Sequence, residues 1–355
     1  MKKKICMVVP SFSAKGGITS VVTGYRGSQL EKDYDIKYIE TYCDGNRLSK
    51  LLKALKAYLS YSWLLLFWHP EIVHIHSSFG GSFYRKMPFI IIGSWFNKPV
   101  VNHIHGSYYD EFYFEASERK QAIIRSTYNR CAAIIALSES AREELSKITS
   151  SPISVVENYG ILKEDEIIKR KSKSNKNIVL FLGFITEKKG CFDIPNVIKI
   201  VVEKIPDVKF VLAGVGEIEK LKKITPMIEK DNIDFPGWVT GEEKSKLLSE
   251  ADVFFLPSYS EGMPMSILDA MGYGLPIVSS NVGGVPKLVK NEENGFLFQP
   301  GDINGFARSI CLILENDELR NKMIDCSAKI IKEKYSQNRH IEKIEEIYKK
   351  YSTGV

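Results

Sequence analysis

Cysteine is scarce in this 355-residue chain, and what there is forms no pattern. Cys6, Cys43, Cys131, Cys191, Cys311 and Cys326 make no Cys-x-x-Cys pair and no metal-ligand spacing. Most fall in apolar segments, so buried reduced thiols are expected, as in a cytosolic protein, rather than a disulfide framework. Also absent is any run approaching the roughly 18 apolar residues that a membrane span requires. The start, Met1-Lys2-Lys3-Lys4 followed by Ile5–Val9, has the outline of a signal peptide. Its apolar run stops at Pro10-Ser11 and suits a first buried strand better. No dense basic stripe marks a nucleic-acid binder, although the formal net charge of +6 admits anionic ligands or an anionic membrane surface. Tandem repeats and low-complexity tracts are missing as well.

What is present is an ordinary soluble composition, 44% hydrophobic and 26% charged, long enough for two domains. Short apolar runs alternate with helical stretches twice over. In the first half Ile5–Val9, Ile72–Ile75, Val100–Ile104 and Ala133–Leu137 read as strands of a parallel sheet covered on both faces. Between them lie helical segments at Leu48–Phe67, Ala116–Tyr128 and Glu139–Lys147, the last with Ser138 as its N-cap. A polar stretch from Lys163 to Asn177 is the clearest compositional break. It divides the chain into residues 1–165, a linker at 166–177, a second domain at 178–332 and a C-terminal helical segment at 333–355. The second domain repeats the alternation, with strands at Ile178–Leu182, Lys209–Ala213, Ile233–Phe235, Val253–Leu256, Ile277–Ser279 and Gly295–Phe298. Helices are expected at Phe192–Glu203, Glu217–Glu229, Glu242–Ser249 and Met265–Met271. The reading is an α/β protein of two doubly wound, Rossmann-like domains.

The motif with the most chemistry is Ser260-Glu261-Gly262-Met263-Pro264-Met265-Ser266-Ile267-Leu268-Asp269, just past a buried strand. It places one acid at a loop tip and a second eight positions later, inside a helix whose N-terminal amides suit a phosphate. Two acids flanking a diphosphate suit a nucleotide sugar. Upstream, Gly183-Phe184-Ile185-Thr186-Glu187-Lys188-Lys189-Gly190 suits a phosphate clamp, or else a solvated lysine pair on a β–α turn. Gly214-Val215-Gly216 lacks the third glycine and the ribose acid of a dinucleotide fingerprint and reads as a tight turn. Trp238 in Phe235-Pro236-Gly237-Trp238-Val239 fits either a base-binding loop or the core.

In the first domain, Ser13-Ala14-Lys15-Gly16-Gly17-Ile18-Thr19 allows close backbone approach to a phosphate or acceptor, with Thr19 as a candidate helix cap. His74 and His76 end one strand, and His103-Ile104-His105-Gly106 ends another. No acid stands at ligand spacing beside these histidines, so no metal is assigned to them. The segment Lys50–Leu59 running to Trp68 forms a basic amphipathic helix, suited to an anionic membrane interface or to packing on the sheet with its lysines extended to solvent.

Taken together, these segments resemble the retaining glycosyltransferases of family 4, whose GT-B fold has two facing Rossmann-like domains. The resemblance spans nearly the whole chain: Gly16-Gly17, His105-Gly106, Ile135–Glu139, Gly183 to Gly190, Ala213–Gly216, Phe235–Val239, Pro257 to Val278, Gly283-Gly284-Val285-Pro286, Asn294–Leu297 and Pro300-Gly301-Asp302. It implies a C-terminal helix crossing back to the first domain. It implies catalytic roles for Glu261 on the donor sugar, Lys189 on the departing diphosphate and His105 near the reacting carbon. Donor binding would fall to Gly17, Gly183, Trp238, Val239, Gly262, Met263, Met265, Ser266 and, on the ribose, Asp269. Gly16 and His76 are assigned to the acceptor.

Two residues depart from the family pattern. Asp269 stands where glutamate is usual, and Phe184 where arginine is usual. The expected enzyme is a hexosyltransferase-type, retaining, metal-independent one without a cofactor. It would move a sugar from a nucleotide diphosphate donor, UDP-linked by preference, to a hydroxyl of a glycan or lipid-linked acceptor in envelope polysaccharide synthesis. Nucleic acid is not an expected partner; the cytoplasm, with peripheral contact at the inner membrane face, is the expected place. Alternatives are a non-catalytic sugar-nucleotide or glycan-binding protein and a dinucleotide-dependent oxidoreductase.

Overall fold

The computed structural model describes residues 2–106, 109–172, 176–225 and 232–352. The chain divides into two compact units. Unit 1 comprises Met1–Asn158 together with Asn338–Val355, and unit 2 comprises Tyr159–Gln337.

Unit 1 is built on strands β1 (Lys3–Val9), β2 (Tyr34–Glu40), β3 (Ile72–Ser77), β4 (Val100–Ile104), β5 (Ala133–Ala136) and β6 (Ile153–Val155). All pair in parallel, in the order β2-β1-β3-β4-β5-β6. The central strands are short and rich in valine, isoleucine and alanine, as a sheet buried on both faces requires. Its helices are α1 (Gly17–Thr23), α2 (Gln29–Asp33), α3 (Arg47–Trp63), α4 (Gly81–Trp95), α5 (Glu118–Tyr128) and α6 (Glu139–Ser146). Side chains alternate across the sheet. One face packs Val8, Ile75, Ile104 and Ile134 against Tyr61, Phe83, Phe89 and Tyr128. The opposite face carries His74, His76 and His103.

Unit 2 contains α7 (Glu164–Ser172), β7 (Ile178–Leu182), α8 (Ile194–Lys204), β8 (Lys209–Ala213), α9 (Ile218–Ile224) and β9 (Ile233–Asp234). It continues through α10 (Gly241–Glu250), β10 (Val253–Leu256), α11 (Met265–Gly272), β11 (Ile277–Ser280), α12 (Val285–Leu288), β12 (Gly295–Phe298), α13 (Ile303–Glu315) and α14 (Asp317–Lys334). Its parallel sheet runs β12-β11-β10-β7-β8-β9, so the strand order reverses between β7 and β10. In unit 1 the reversal falls between β1 and β3. Crevices at such switch points, beyond the carboxyl ends of the strands, are where open α/β sheets bind ligands.

Several elements differ from the sequence reading. The edge strands β2 and β6 have no counterpart in it. Tyr34–Glu40 alternates charge with apolar residues on a half-exposed edge, and Ile153–Val155 is only three residues long. Helix α4 is masked in the sequence by its glycines and by Pro88, which the helix accommodates in its interior. Within the stretch assigned as a linker, Glu164–Ser172 is helix α7. The reason is Arg170, a buried guanidinium that donates to the carbonyls of Tyr273 (2.9 Å), Leu248 (2.6 Å) and Ala251 and so pins α7 into unit 2. The expected helix over Glu217–Glu229 is seen to Ile224; its last four residues lie outside the described ones. Thr19 sits inside α1, whose N-cap is Gly16.

The C-terminal helical segment breaks at Tyr335, and a final helix, α15 (Gln337–Tyr351), follows. From Asn338 onward it belongs to unit 1. Its buried stripe of His340, Ile341, Ile344, Ile347 and Tyr348 covers the histidine face of the sheet. The Tyr348 hydroxyl lies 2.5 Å from His74 Nδ1, and His340 Nδ1 lies 2.6 Å from the Glu157 carbonyl. The six cysteines are unpaired; four are buried, while Cys43 and Cys326 are half-buried. Among the described residues, no helix is long and apolar enough to cross a membrane.

Candidate active site

The strongest sequence motif lands on the switch point of unit 2. The loop after β10 carries Glu261, which is nearly buried, and the loop after β7 carries Lys189. Their side chains meet: Lys189 Nζ donates to Glu261 Oε1 at 2.6 Å, and Ser258 Oγ donates to the same oxygen at 2.7 Å. A buried carboxylate persists only when it is partnered in this way.

Local backbone packing explains why the two loops sit together. Lys189 ends a short 3-10 turn, Glu187–Lys189, closed by Gly190 in the left-handed region at φ 68°. A Cβ on Gly190 would lie 1.9 Å from the Pro257 carbonyl oxygen, so only glycine lets the two loops touch. Tyr259 N donates to the Lys188 carbonyl at 2.9 Å and ties them further. From the other side, Gly283 and Gly284 press against the acid loop. A Cβ on Gly283 would be 1.7 Å from the Glu261 carbonyl oxygen, and one on Gly284 would be 2.0 Å from that of Gly262. The Gly-Gly-Val-Pro run is thus a platform under Glu261.

Gly262 and Met263 lead into α11. Pro264 is its N-cap and no side chain caps it, which leaves the first amides beside half-buried Met265 and Ser266 open to an anion. Asp269, a turn further along, accepts from Lys244 Nζ of α10 at 2.9 Å. Sequence reasoning missed Lys244, because its partner lies 25 residues away and no local pattern links them. Trp238 is half-buried and Val239 buried. The Phe184 ring lies 5.1 Å from that of Trp238 at an interplanar angle of 39°. The residue at the usual arginine position therefore extends the aromatic loop and brings no cation. Gly183 begins that loop, its amide donating to the Ala213 carbonyl at 3.1 Å. The Gly-x-Gly segment after β8 acts as the tight turn expected: Ile185 N donates to Val215 O, and Glu217 N to Ile185 O.

In unit 1, the loop after β1 carries Gly16 and Gly17 at the start of α1. Gly16 has φ 141°, with open space where a Cβ would stand. His105 follows β4 and is half-buried. Its Nε2 lies 2.9 Å from His76 Nδ1. His76 itself is fully buried, and its ring reaches His105 rather than the surface. Burial dominates the titration of these rings. It pushes His74 and His105 down to about 3 and His340 down to about 4, and it holds His76 and His103 well below the ordinary histidine range. All five are neutral imidazoles near pH 7.

Each unit thus presents polar residues and glycines at the carboxyl ends of a doubly wound sheet, and unit 2 adds a buried acid–lysine pair beside an open helix N-terminus. That combination suits a phosphate-bearing ligand on a protein of two Rossmann-like units. The model for glycosyl transferases group 1 matches residues 163–329, and that for glycosyltransferase family 4 matches residues 12–159. A relative, the UDP-Gal:alpha-D-GlcNAc-diphosphoundecaprenol alpha-1,3-galactosyltransferase of Escherichia coli, is 29% identical over 88% of this chain and 82% of its own length. Among solved structures, sucrose-phosphate synthase from Thermosynechococcus elongatus superposes with a TM-score of 0.78 at 16% identity, covering 98% of this chain and 99% of that one. Anabaena HepE in complex with UDP gives a TM-score of 0.72 at 17% identity, covering 98% and 100%. The chain belongs to the family 4 glycosyltransferases and has the GT-B fold.

Proposed function

We propose that this enzyme is a retaining hexosyltransferase that moves a sugar from a UDP-linked donor to a hydroxyl of a lipid-linked or glycan acceptor in envelope polysaccharide synthesis. The observation that carries the reading is the Lys189–Glu261 pair at the switch point of unit 2, beside the uncapped N-terminus of α11. Unit 2 holds the donor: Glu261 takes the sugar hydroxyls, the backbone from Gly262 to Ser266 takes sugar and phosphate, and Asp269 takes the ribose. Trp238 and Val239 border the base, with Gly183 lining the phosphate loop. Gly16, Gly17 and His105 are unit 1's contribution.

In the transfer step the acceptor oxygen bonds to the anomeric carbon as the bond from that carbon to the diphosphate oxygen breaks. The acceptor proton passes to the departing phosphate. Lys189 and the α11 amides stabilise the charge that develops there, so this step calls for no divalent cation and no cofactor. Attack on the face of departure retains configuration.

The lipid-linked acceptor is supported by the activity for which the Escherichia coli relative is named and by the surface of α3. Leu48, Leu51, Leu52, Leu55, Leu59 and Trp63, with Leu66 and Phe67 in the turn that follows, are between 50 and 67% exposed. A row of that length on one helix, with Lys56 beside it, suits the headgroup boundary of an anionic membrane.

The test is a transfer assay with UDP-, GDP- and ADP-hexoses and an undecaprenyl-diphosphate-linked sugar, with anomeric configuration read by NMR. The expected result is a retained linkage from a UDP-hexose at a rate unchanged by added magnesium or manganese. An inverted linkage, a rate that needs either ion, or donor binding without transfer to any acceptor refutes the reading.

A further inference from the structure

The sheet of unit 1 carries two His-x-His pairs, His74-Ile75-His76 on β3 and His103-Ile104-His105 at the end of β4. The parallel register sets His76 directly beside His103 and His74 beside Val101. With a side-chain period of two, the histidines share one face of the sheet. His74, His76 and His103 have no exposed surface at all. Their rings are gathered tightly: centroids are 4.4 Å apart for His74 and His76, 5.0 Å for His76 and His103, and 5.7 Å for His74 and His103.

The hydrogen bonds in this cluster are arranged by ring nitrogen. His74 uses Nδ1 toward the Tyr348 hydroxyl of α15, and His76 uses Nδ1 toward His105 Nε2. That leaves Nε2 of His74, Nε2 of His76 and both nitrogens of His103 buried without a hydrogen-bond partner in the protein. Buried polar atoms are almost always satisfied, so these unpartnered nitrogens call for an explanation. One nitrogen from each of the three rings can be chosen so that all lie within 4.8 Å of one another.

We propose that His74, His76 and His103 form a buried metal site for a transition ion of the zinc class, separate from the donor chemistry of unit 2. The ligand atoms are Nε2 of His74, Nε2 of His76 and one ring nitrogen of His103. Tyr348 and His105 accept the Nδ1 protons of the first two rings, which fixes the tautomer that turns Nε2 toward the ion. Zinc-bound nitrogens lie about 2.0–2.1 Å from the ion, so rotations that bring neighbouring nitrogens to roughly 3.3 Å close the site. Three imidazoles and no carboxylate select against magnesium and calcium, which demand oxygen. No acid at ligand spacing marks the site in sequence, because strand register brings its residues together from two separate strands.

The test uses the full chain, stripped of metal and titrated with Co2+ as a spectroscopic stand-in, then with Zn2+. The expected result is one Co2+ per chain with visible d–d bands, displaced stoichiometrically by Zn2+. X-ray absorption of the zinc form should show three imidazole ligands. Excess Zn2+ should raise Tm by roughly 5 to 10 °C, and excess Mg2+ should leave it unmoved. His103→Ala should lose both signals, and His69→Ala, at an exposed histidine, should keep them. Absence of bands with an unmoved Tm in the wild-type chain overturns the proposal, as does loss of the bands in His69→Ala. If His103→Ala does not fold, the imidazole count of the wild-type chain decides, and a shell with fewer than three overturns it.

Discussion

The two units handle polar side chains in opposite ways. At the switch point of unit 2 the groups are charged and paired across loops, Lys189 with Glu261 and Lys244 with Asp269, with both cations still partly exposed. In unit 1 the corresponding layer is a stack of neutral imidazoles beneath α15, several of their nitrogens unsatisfied. Unit 2 offers an anion a partly exposed lysine and an uncapped helix end, and under the proposed function Lys189 turns from Glu261 toward the diphosphate. In unit 1 the comparable ion pair, Lys53 with Glu40, sits at the end of the edge strand β2. The distinctive surface of unit 1 is the apolar row of α3. Under the proposed function, donor chemistry and acceptor recognition draw on different physics: electrostatics in one unit, shape and apolar surface in the other.

The largest effect should come from Glu261. Glu261→Gln keeps the shape but removes the charge that faces Lys189, and kcat should fall by roughly a hundredfold or more. Lys189→Met should lower it about tenfold, equivalent to about 1.4 kcal/mol in barrier. Steady-state kinetics with a lipid-linked acceptor, alongside Tm, check both. Since Lys189 is 28% exposed, water can hydrate it once its partner is neutral, and Tm should move by only a few degrees. A kcat within twofold of wild type in Glu261→Gln would break the contrast by removing charge from the centre of unit 2's function.

The matching test of unit 1 alters its surface. Leu51→Ser with Leu55→Ser removes two largely exposed apolar side chains, so Tm should hold while partition onto anionic vesicles falls roughly tenfold. Co-sedimentation with vesicles containing phosphatidylglycerol reads the partition. Equal partition of wild type and variant would return the α3 row to an ordinary surface.

Legibility in sequence follows the same divide. The site of unit 2 is readable because its determinants are local: an acid eight residues from another, a lysine beside a glycine, and glycines at each point where backbones touch. Strands such as Val253–Leu256 are readable because a fully buried parallel strand admits little but apolar residues. What escapes depends on pairing over distance. Register sets His76 beside His103. Arg170 finds its carbonyl partners through a helix that reads as a linker. On α3, Ala57 and Tyr61 are buried while Leu51, Leu55 and Leu59 are exposed, an outcome no periodicity count distinguishes from its reverse.

Lys244 offers the finest test of the contrast, because only the fold reveals it. It holds Asp269 at 2.9 Å with both side chains about a quarter exposed. A pair so open to solvent contributes little to stability, so Lys244→Ala should leave Tm almost unchanged. If Asp269 takes the ribose, removing Lys244 frees the carboxylate to wander. The donor KM should then rise about threefold, roughly 0.6 kcal/mol, with kcat unchanged, because the ribose contact is the same in ground state and transition state. Asp269→Ala should raise KM further in the same direction. A fall in kcat at constant KM would place Lys244 on the departing diphosphate instead. The cation missing at Phe184 would then be supplied from α10, and unit 2 would carry two lysines at its leaving group.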